Sequence, residues 1–287
     1  MNAQAHPPDA QEIQPRLELA VRIAQSAGAI QLQHFGRLEQ VDEKSPIDLV
    51  TIADRDSEAH IVQNIEAHMP QDLVLAEERD GHDGMDASRC HAARWCWIID
   101  PLDGTTNFSH SHPQFAVSIA LVHYGAPYLG VIFAPVRKEL FVGGVGVPPT
   151  LNGAPIGVSK TTVLSKSLLA SGFPYNRREK ADALLARVKR AMMQAHGFRR
   201  GGSAAMDLAE LAAGRTDGFW EEGLAPWDLA AGIAILEAAG GVVTDLSAKR
   251  HNLFAGSTLA SNGHIHRALF EQVVGDIEPN RFNDRSP

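Results

Sequence analysis

Apolar residues near the start of the chain recur every three to four positions, which is the spacing of one helix face. They predict a helix over residues 17–38 and a second helix over residues 54–68, with Asp54 as the N-cap of the second. The intervening segment 44–51 predicts a loop that leads into a short extended piece. Residues 1–15 are polar and contain prolines, with neither a basic start nor an apolar stretch of the kind a signal peptide needs. They predict a disordered tail.

Shorter apolar runs without helical spacing predict strands. One such run covers residues 73–75, and another covers residues 94–99. The second run meets Asp-Pro-Leu-Asp-Gly at 100–104 and is predicted to stop there, because proline has no N–H for a sheet ladder. Three further runs separated by turn residues predict an antiparallel meander over residues 115–143. The charged, glycine-containing segment 79–93 predicts a surface loop.

The second half of the chain alternates between strand and helix patterns, which favours a layered α/β unit. Helices are predicted over residues 178–196, 203–213, 226–239 and 265–274, and strands over 168–171, 197–200, 218–221, 242–245 and 259–260. A stretch rich in glycine and proline at 143–153 predicts the boundary between the two halves of the chain. The expected organisation is a tail at 1–15, an α+β half at 16–150, an α/β half at 151–276 and a C-terminal tail at 277–287.

Composition narrows the classes of function. The chain has 287 residues and a net charge of −8, so it has no general attraction for nucleic acid or anionic lipid. No apolar run approaches the length of a membrane span. The two cysteines, Cys90 and Cys96, are too few for a structural zinc site or a disulfide framework, and they fit reduced thiols. We expect a soluble cytoplasmic protein.

Acidic residues stand at the ends of several predicted elements. Asp100 and Asp103 flank the Leu102 carbonyl at a strand end, Glu77 follows another strand, and Asp228 opens a helix. If these groups converge, their like charges oppose common ionisation unless cations bind. Carboxylate and carbonyl oxygens are ligands that magnesium prefers. Two such ions can polarise a phosphoryl oxygen and activate water, so the pattern predicts phosphate chemistry.

Two rival sites fit the sequence less well. Gly201-Gly202-Ser203-Ala204-Ala205 resembles a nucleophile elbow between a strand and a helix, but its last position is Ala205 rather than glycine. A serine hydrolase would also leave the acidic residues without a role. The paired histidines at 110 and 112 and at 264 and 266 lack the helical spacing of four residues that zinc motifs use.

Two segments carry a resemblance to a known family. Asp-Pro-Leu-Asp-Gly-Thr-Thr-Asn-Phe at 100–108 and Trp-Asp-Leu-Ala-Ala-Gly at 227–232 resemble the paired signatures of the inositol monophosphatase family. The match extends from about residue 20 to about residue 270, and the bacterial branch of the family, inositol-1-monophosphatase, fits best. The resemblance implies a layered αβαβα sandwich, which is usually a homodimer. It also implies a magnesium-dependent, lithium-sensitive hydrolysis of myo-inositol 1-phosphate or related polyol and sugar monophosphates.

The resemblance also implies a role for each matching position. The metal ligands would be Glu77, Asp100, the Leu102 carbonyl, Asp103 and Asp228, which would hold two to three Mg²⁺ ions. Glu77 and Thr105 would orient a water, with Asp54 polarising Thr105. The substrate contacts would be Asp103, Gly104, Thr105, Gly202, Ser203, Ala204 and Glu221. Lys44 would lie on a mobile loop near the metals.

The resemblance leaves the substrate and the physiological role open. Relatives with nearly the same metal ligands hydrolyse histidinol phosphate, fructose 1,6-bisphosphate or nucleotide 3′-phosphates. Glu221 favours the inositol branch, because its carboxylate can accept hydrogen bonds from sugar hydroxyls. Bacterial relatives also act as partners of the transcription machinery, so a partner-binding regulator is the alternative from a different class.

Overall fold

The computed structural model describes residues 8–37, 42–45, 48–81 and 87–275. The helices are α1 (Ala10–His34), α2 (Ile52–His68), α3 (Glu77–Asp80), α4 (Ala87–Ala92), α5 (Thr105–Ser109), α6 (Ala181–Gln194), α7 (Ala204–Ala212), α8 (Pro226–Ala238) and α9 (His266–Leu269), which a π-helical turn at Phe270–Val274 continues. The strands are β1 (Asp42–Ser45), β2 (Asp48–Val50), β3 (Leu73–Ala76), β4 (Cys96–Asp103), β5 (Ala116–His123), β6 (Ala126–Ala134), β7 (Glu139–Gly144), β8 (Val147–Leu151), β9 (Ala154–Pro155), β10 (Leu168–Ser171), β11 (Gly197–Arg199), β12 (Gly218–Glu222), β13 (Val242–Thr244) and β14 (Ser257–Ser261).

The strands form two large sheets and a small ribbon. The larger sheet has seven strands in the order β3-β4-β5-β6-β7-β8-β9, antiparallel except for the β3–β4 pair. The second sheet has five strands in the order β11-β10-β12-β14-β13, with parallel pairs on one side and antiparallel pairs on the other. Strands β1 and β2 pair with each other as an antiparallel ribbon.

Strand β4 explains why the molecule is layered. Side chains alternate between the two faces of a strand, so Trp97 and Ile99 pack with α1 and α2 while Cys96 and Ile98 pack into the opposite core. That opposite core contains helices α7 and α8 together with Phe219 of the five-stranded sheet. On its far face the five-stranded sheet packs against α6 and the C-terminal helical segment. The predicted αβαβα sandwich is therefore confirmed.

Several predicted boundaries need correction. Helix α1 begins at Ala10 with Asp9 as its N-cap, so residues 10–15 are helical rather than part of a tail. Pro15 is the sixth helical residue, so it cannot donate the usual helical hydrogen bond to the Gln11 carbonyl, and α1 continues through it. Helix α2 is capped by Thr51, and Asp54 completes a capping box from the third helical position. The predicted tail residues 1–7 and the C-terminal tail lie outside the described residues.

Two segments that we predicted as loops contain regular structure. Helices α3 and α4 occupy much of the predicted loop 79–93, where Cys90 is buried and its sulfur lies 2.8 Å from that of Cys96. Strands β8 and β9 occupy the glycine- and proline-rich region around residue 150, so the seven-stranded sheet extends past our boundary between halves. Among the described residues, no helix has the length and apolar character required to cross a membrane.

Candidate active site

The acidic cluster begins at an irregularity in strand β4. The strand does not stop at Asp100 as predicted, but continues to Asp103. Asp100 pairs with Ser118 and Asp103 with Ala116, so three steps on β4 oppose two on β5. This bulge absorbs Pro101 without loss of the strand. The Pro101 carbonyl accepts a hydrogen bond of 2.6 Å from the buried Gln31 side chain of α1, which fixes the bulge against the helix layer.

Three carboxylates meet beside this bulge. One oxygen each of Asp100, Asp103 and Asp228 lies within 4.8 Å of the other two. Asp100 is 2% exposed and Asp103 is 8% exposed, so water stabilises their charges poorly. Asp228 joins them from the first turn of α8, which packs against β4 from the other half of the chain. Oxygen ligands at this spacing suit a hard divalent cation such as magnesium.

Backbone and hydroxyl donors hold each of these carboxylates in place. The Leu102 N–H donates to Asp100 Oδ1 at 2.9 Å. Asp103 Oδ2 accepts from the Ser203 hydroxyl at 2.6 Å and from the Ala205 N–H at 2.7 Å. In helix α8, the N-cap N–H of residue 225 donates to Asp228 Oδ2 at 2.7 Å, because Asp228 is the third helical residue. The three acids are therefore oriented without any help from a ligand.

Electrostatics in the cluster favour a bound cation. Burial raises the pKa of Asp100 well above its usual value, and the charges of Glu77, Asp103 and Asp228 raise it further. Glu77 opens α3 and lines the same cavity as these residues. Burial also raises the pKa of Asp103 to about 6, against the lowering effect of its hydrogen bonds. A divalent cation would offset this repulsion and allow the carboxylates to ionise together.

Thr105 stands next to the cluster at the start of α5. Its hydroxyl lies 3.0 Å from Asp54 Oδ1 and 3.1 Å from the Leu102 carbonyl oxygen. Asp54 Oδ2 accepts hydrogen bonds from the Thr51 N–H and hydroxyl, so this carboxylate is fully engaged. Burial raises the pKa of Asp54 to about 6. The pair Thr105–Asp54 is the arrangement that the family resemblance implied.

The loop before α5 depends on a glycine. Gly104 has a φ of 101°, and a Cβ there would lie 2.9 Å from the Gln114 carbonyl oxygen. The next helical turn presents Asn107, whose amide donates to the carbonyls of Gln114 at 2.7 Å and Gly201 at 3.0 Å. Asn107 thus ties α5 to the segment before β5 and to the loop that precedes α7.

The remaining predicted contacts lie along the same cavity on the second half of the chain. Gly202 has a φ of 83°, Ser203 caps α7, and Ala204 opens that helix. Glu221 reaches the cavity from β12 and is 8% exposed, and burial raises its pKa well above the usual value. Lys44 lies in strand β1, and its side chain is outside the described part of the molecule.

Three residues near the cavity were missed by sequence reasoning. Gln31 lies on the inner side of α1, in line with the predicted apolar stripe. Asn107 lies within the motif at 100–108, but we predicted no contact between its side chain and another segment. Asp207 is a lone acid in the otherwise apolar first two turns of α7, and it lines the cavity at 3% exposure. For Gln31 and Asp207, the signal in the sequence was a polar residue inside an apolar stripe, which indicates a buried polar group.

The nucleophile-elbow alternative is not supported. The Ser203 hydroxyl donates to Asp103 Oδ2, so it is engaged with a carboxylate rather than with a histidine base. The group of potential metal ligands found among the described residues consists of carboxylates alone.

Fold and site together define a phosphatase of the layered αβαβα type. A profile of the inositol monophosphatase family matches residues 12–279, and the chain belongs to this family. It is 43% identical over 264 residues to an inositol-1-monophosphatase of Synechocystis sp., with 92% of this chain and 90% of that protein covered. It is 38% identical over 271 residues to the Nus factor SuhB of Pseudomonas aeruginosa, with 93% and 98% covered. The solved structure of the inositol monophosphatase from Anabaena (Nostoc) sp. matches with a TM-score of 0.80 at 42% identity, covering 91% of this chain and 95% of that one.

Proposed function

We propose that this chain is a magnesium-dependent phosphomonoesterase that hydrolyses myo-inositol 1-phosphate and related polyol monophosphates. The observation that carries the proposal is the meeting of Asp100, Asp103 and Asp228 within 4.8 Å in a buried cavity. Their oxygens, with those of Glu77 and the Leu102 carbonyl, would hold two to three Mg²⁺ ions. The ions would supply charge stabilisation of the phosphoryl group and would lower the pKa of a bound water, which makes it easier to deprotonate.

The side chains around the cluster would then position the reactants. If the Thr105 hydroxyl donates its proton to Asp54 Oδ1, a lone pair on its oxygen is free to accept a hydrogen bond from the attacking water. Glu77 would accept the second hydrogen bond from that water. The backbone N–H groups of Gly104 and Thr105 would hold the phosphate. No covalent enzyme intermediate is required, because positioning and charge stabilisation carry the reaction.

The contacts to the alcohol part of the substrate would come from the second half of the chain. Gly202, Ser203 and Ala204 would face the ring, and Glu221 would accept hydrogen bonds from its hydroxyls. Glu221 supports the choice of a hydroxyl-rich substrate, because this largely buried carboxyl group accepts no hydrogen bond from the described residues and a substrate hydroxyl would supply one.

The proposed substrate is tested by phosphate release from a panel of esters. The panel contains myo-inositol 1-phosphate, histidinol phosphate, fructose 1,6-bisphosphate and a nucleotide 3′-phosphate, each measured with Mg²⁺ and with a chelator. We expect the highest kcat/KM for inositol 1-phosphate and loss of activity after chelation. Faster turnover of histidinol phosphate would assign a different substrate. Activity that survives chelation would refute the metal-dependent mechanism.

The SuhB relative provides a reason for a second candidate function, a regulatory contact with the transcription machinery. Asp103→Asn separates the two functions, because it removes a proposed metal ligand from a buried position. If complementation of a deletion strain requires catalysis, this variant fails to complement. A variant that complements fully without phosphatase activity would favour the partner-binding function.

Two further properties follow from the proposed family-type activity. Li⁺ would inhibit phosphate release at saturating substrate, which a titration at fixed Mg²⁺ measures. The chain would form a homodimer, for which light scattering should give twice the 31.0 kDa chain mass.

A further inference from the structure

A second acid, Asp207, shares the cavity with Glu221. Asp207 lies in helix α7 and is 3% exposed, and Glu221 lies in strand β12 and is 8% exposed. Both line the cavity that contains the metal-ligand cluster. The charge of Asp207 contributes to the raised pKa of Glu221, which places the two carboxylates near each other.

Neither carboxylate has a hydrogen-bond donor among the described residues. Arg200 is the nearby cation, and its charge lowers the pKa of Asp207, but among the described residues the two side chains form no ion pair. The Arg200 guanidinium instead lies 5.9 Å from the centre of the Phe173 ring. A carboxyl group that is 3% or 8% exposed and has no protein donor is solvated only by the water that reaches it in the cavity, so its ionisation costs free energy. Such groups are found where a ligand provides the missing partner.

The backbone beside each carboxylate is shaped to leave it room. A Cβ at Gly201 would strike Asp207 Oδ1, and a Cβ at Gly172 would strike the carboxylate of Glu221. Neither glycine has a positive φ, so chain conformation does not require glycine at either position. The space for the two acids does require it. Asp207 therefore packs against a glycine that leaves room for its carboxylate, as Glu221 does.

We propose that Asp207 is a substrate-contacting, specificity-determining residue that accepts a hydrogen bond from a hydroxyl group of the alcohol part of the substrate, beside Glu221. This inference rests on the proposed phosphatase activity. Two buried acceptors on one side of the cavity select esters whose alcohol carries several hydroxyl groups. An ester without them leaves the carboxylate unpaired, and a site built in this way discriminates strongly against such an analogue.

The test compares two esters with the wild-type protein and the variant Asp207→Ala. The esters are myo-inositol 1-phosphate and 4-nitrophenyl phosphate, whose leaving group has no further hydroxyl. We expect the ratio of kcat/KM for inositol 1-phosphate to kcat/KM for 4-nitrophenyl phosphate to fall by about 10- to 100-fold. Asp182→Ala, an exposed acid at the start of α6, is the matched control and should keep the ratio.

Two further variants keep the test independent of folding. Asp207→Asn retains one acceptor and should lower the same ratio by a smaller factor. Gly201→Ala should lower it as well, because the new Cβ displaces the Asp207 carboxylate. The melting temperature of Asp207→Ala should equal or exceed that of the wild type, whereas a purely structural acid would leave the variant less stable.

An unchanged or increased ratio in Asp207→Ala would overturn the inference. If the wild-type protein hydrolyses both esters and the ratio in Asp207→Ala equals the wild-type ratio, only the proposed role of Asp207 is wrong. A wild-type protein that releases phosphate from neither ester, with Mg²⁺ present, removes the proposed function and this inference with it.

Discussion

The two acidic regions of the cavity differ in how their carboxylates are held. On the side of strand β4, Asp100, Asp103 and Asp228 each accept a hydrogen bond from a backbone N–H. On the side of the second sheet, Asp207 and Glu221 accept none from the described residues. Burial raises the pKa of acids in both regions. The acids of both regions therefore pay a cost of desolvation, but only those beside strand β4 are held in place by protein hydrogen bonds.

This difference indicates two kinds of missing partner. Carboxylates that are already oriented can present their oxygens to a cation such as Mg²⁺, which has strict geometric requirements and whose charge offsets their repulsion. Carboxylates without donors need hydrogen atoms in specific directions, which hydroxyl groups supply. Under the proposed function, the cavity would combine a charge-balancing side (Asp100, Asp103 and Asp228) with a hydroxyl-recognising side (Asp207 and Glu221), as a phosphate ester of a polyol requires.

The largest expected effect comes from the charge-balancing side. Asp100→Asn should lower kcat/KM for phosphate release by at least about 100-fold, because a ligand oxygen and its charge are both lost. The stabilisation of the protein by Mg²⁺ in a thermal melt should shrink as well. Asp182→Asn provides the matched control. Wild-type activity in Asp100→Asn would show that the cluster does not hold the metal.

Removal of the hydroxyl beside the cluster tests positioning without a change of charge. Thr105→Ala should lower kcat by roughly 10- to 100-fold, because the water loses the group that orients it. Mg²⁺ should still stabilise this variant against heat. Thr105→Ser restores the hydroxyl and should recover most of the rate. Equal losses in the serine and alanine variants would contradict the hydrogen-bonding role of Thr105.

The raised pKa values of two buried acids, Asp54 and Asp103, predict how stability changes with pH. Asp54 and Asp103 have pKa values raised to about 6, so the folded protein binds more protons than the unfolded chain between about pH 4 and pH 6. The contribution of these two carboxyl groups to the free energy of unfolding therefore falls as the pH rises through this window. With a chelator, we expect the melting temperature to be lower at pH 7.5 than at pH 5 by at least about 3 °C.

Magnesium should reverse this dependence, because it compensates the charges that appear as protons leave. Melts at both pH values with and without Mg²⁺ measure the effect. A metal-free protein that becomes more stable from pH 5 to pH 7.5 would contradict the raised pKa values of the buried acids.

The smallest expected effect concerns the residue that joins the two regions. Asn107→Ala removes donors to the Gln114 and Gly201 carbonyls and should destabilise the protein by about 1–2 kcal/mol in a denaturant titration. A fewfold loss of activity should accompany it, since Gly201 lies at the start of the hydroxyl-recognising side. Ser109→Ala on the same helix is the control and should leave both quantities close to wild type.

Local sequence patterns predicted many of the individual elements. The meander at 115–143 and the helix-strand alternation of the second half appear in the structure with shifts of a few residues. The errors occur where tertiary contacts override local signals. Pro101 indicated a strand end, yet β4 continues through it, because the bulge and the Gln31 side chain satisfy the local backbone. Residues 79–93 look like a charged loop, but Cys90 packs into the core through α4.

The site shows the same division. The motif at 100–108 sets its conformation through local interactions. The hydrogen bond from the Leu102 N–H to Asp100 and the positive φ of Gly104 both depend only on neighbours along the chain. The acidic residues at the ends of predicted elements indicated Glu77 and Asp228 in distant segments, and the resemblance to a family added Glu221. An acid within the apolar start of α7 was the signal for Asp207, whose significance depends on the donors around it in three dimensions.

The sequence by itself determined the kinds of ligand atom, the acidic balance and the turn at which two aspartates flank a carbonyl, because these depend on residue type and on neighbours along the chain. Only the tertiary structure decided that helices α7 and α8 lie between the two sheets and bring Asp228 within 4.8 Å of Asp100. It also decided which acids acquire donors and which do not. Burial and the supply of hydrogen bonds come from segments a hundred residues apart, and packing alone brings those segments together.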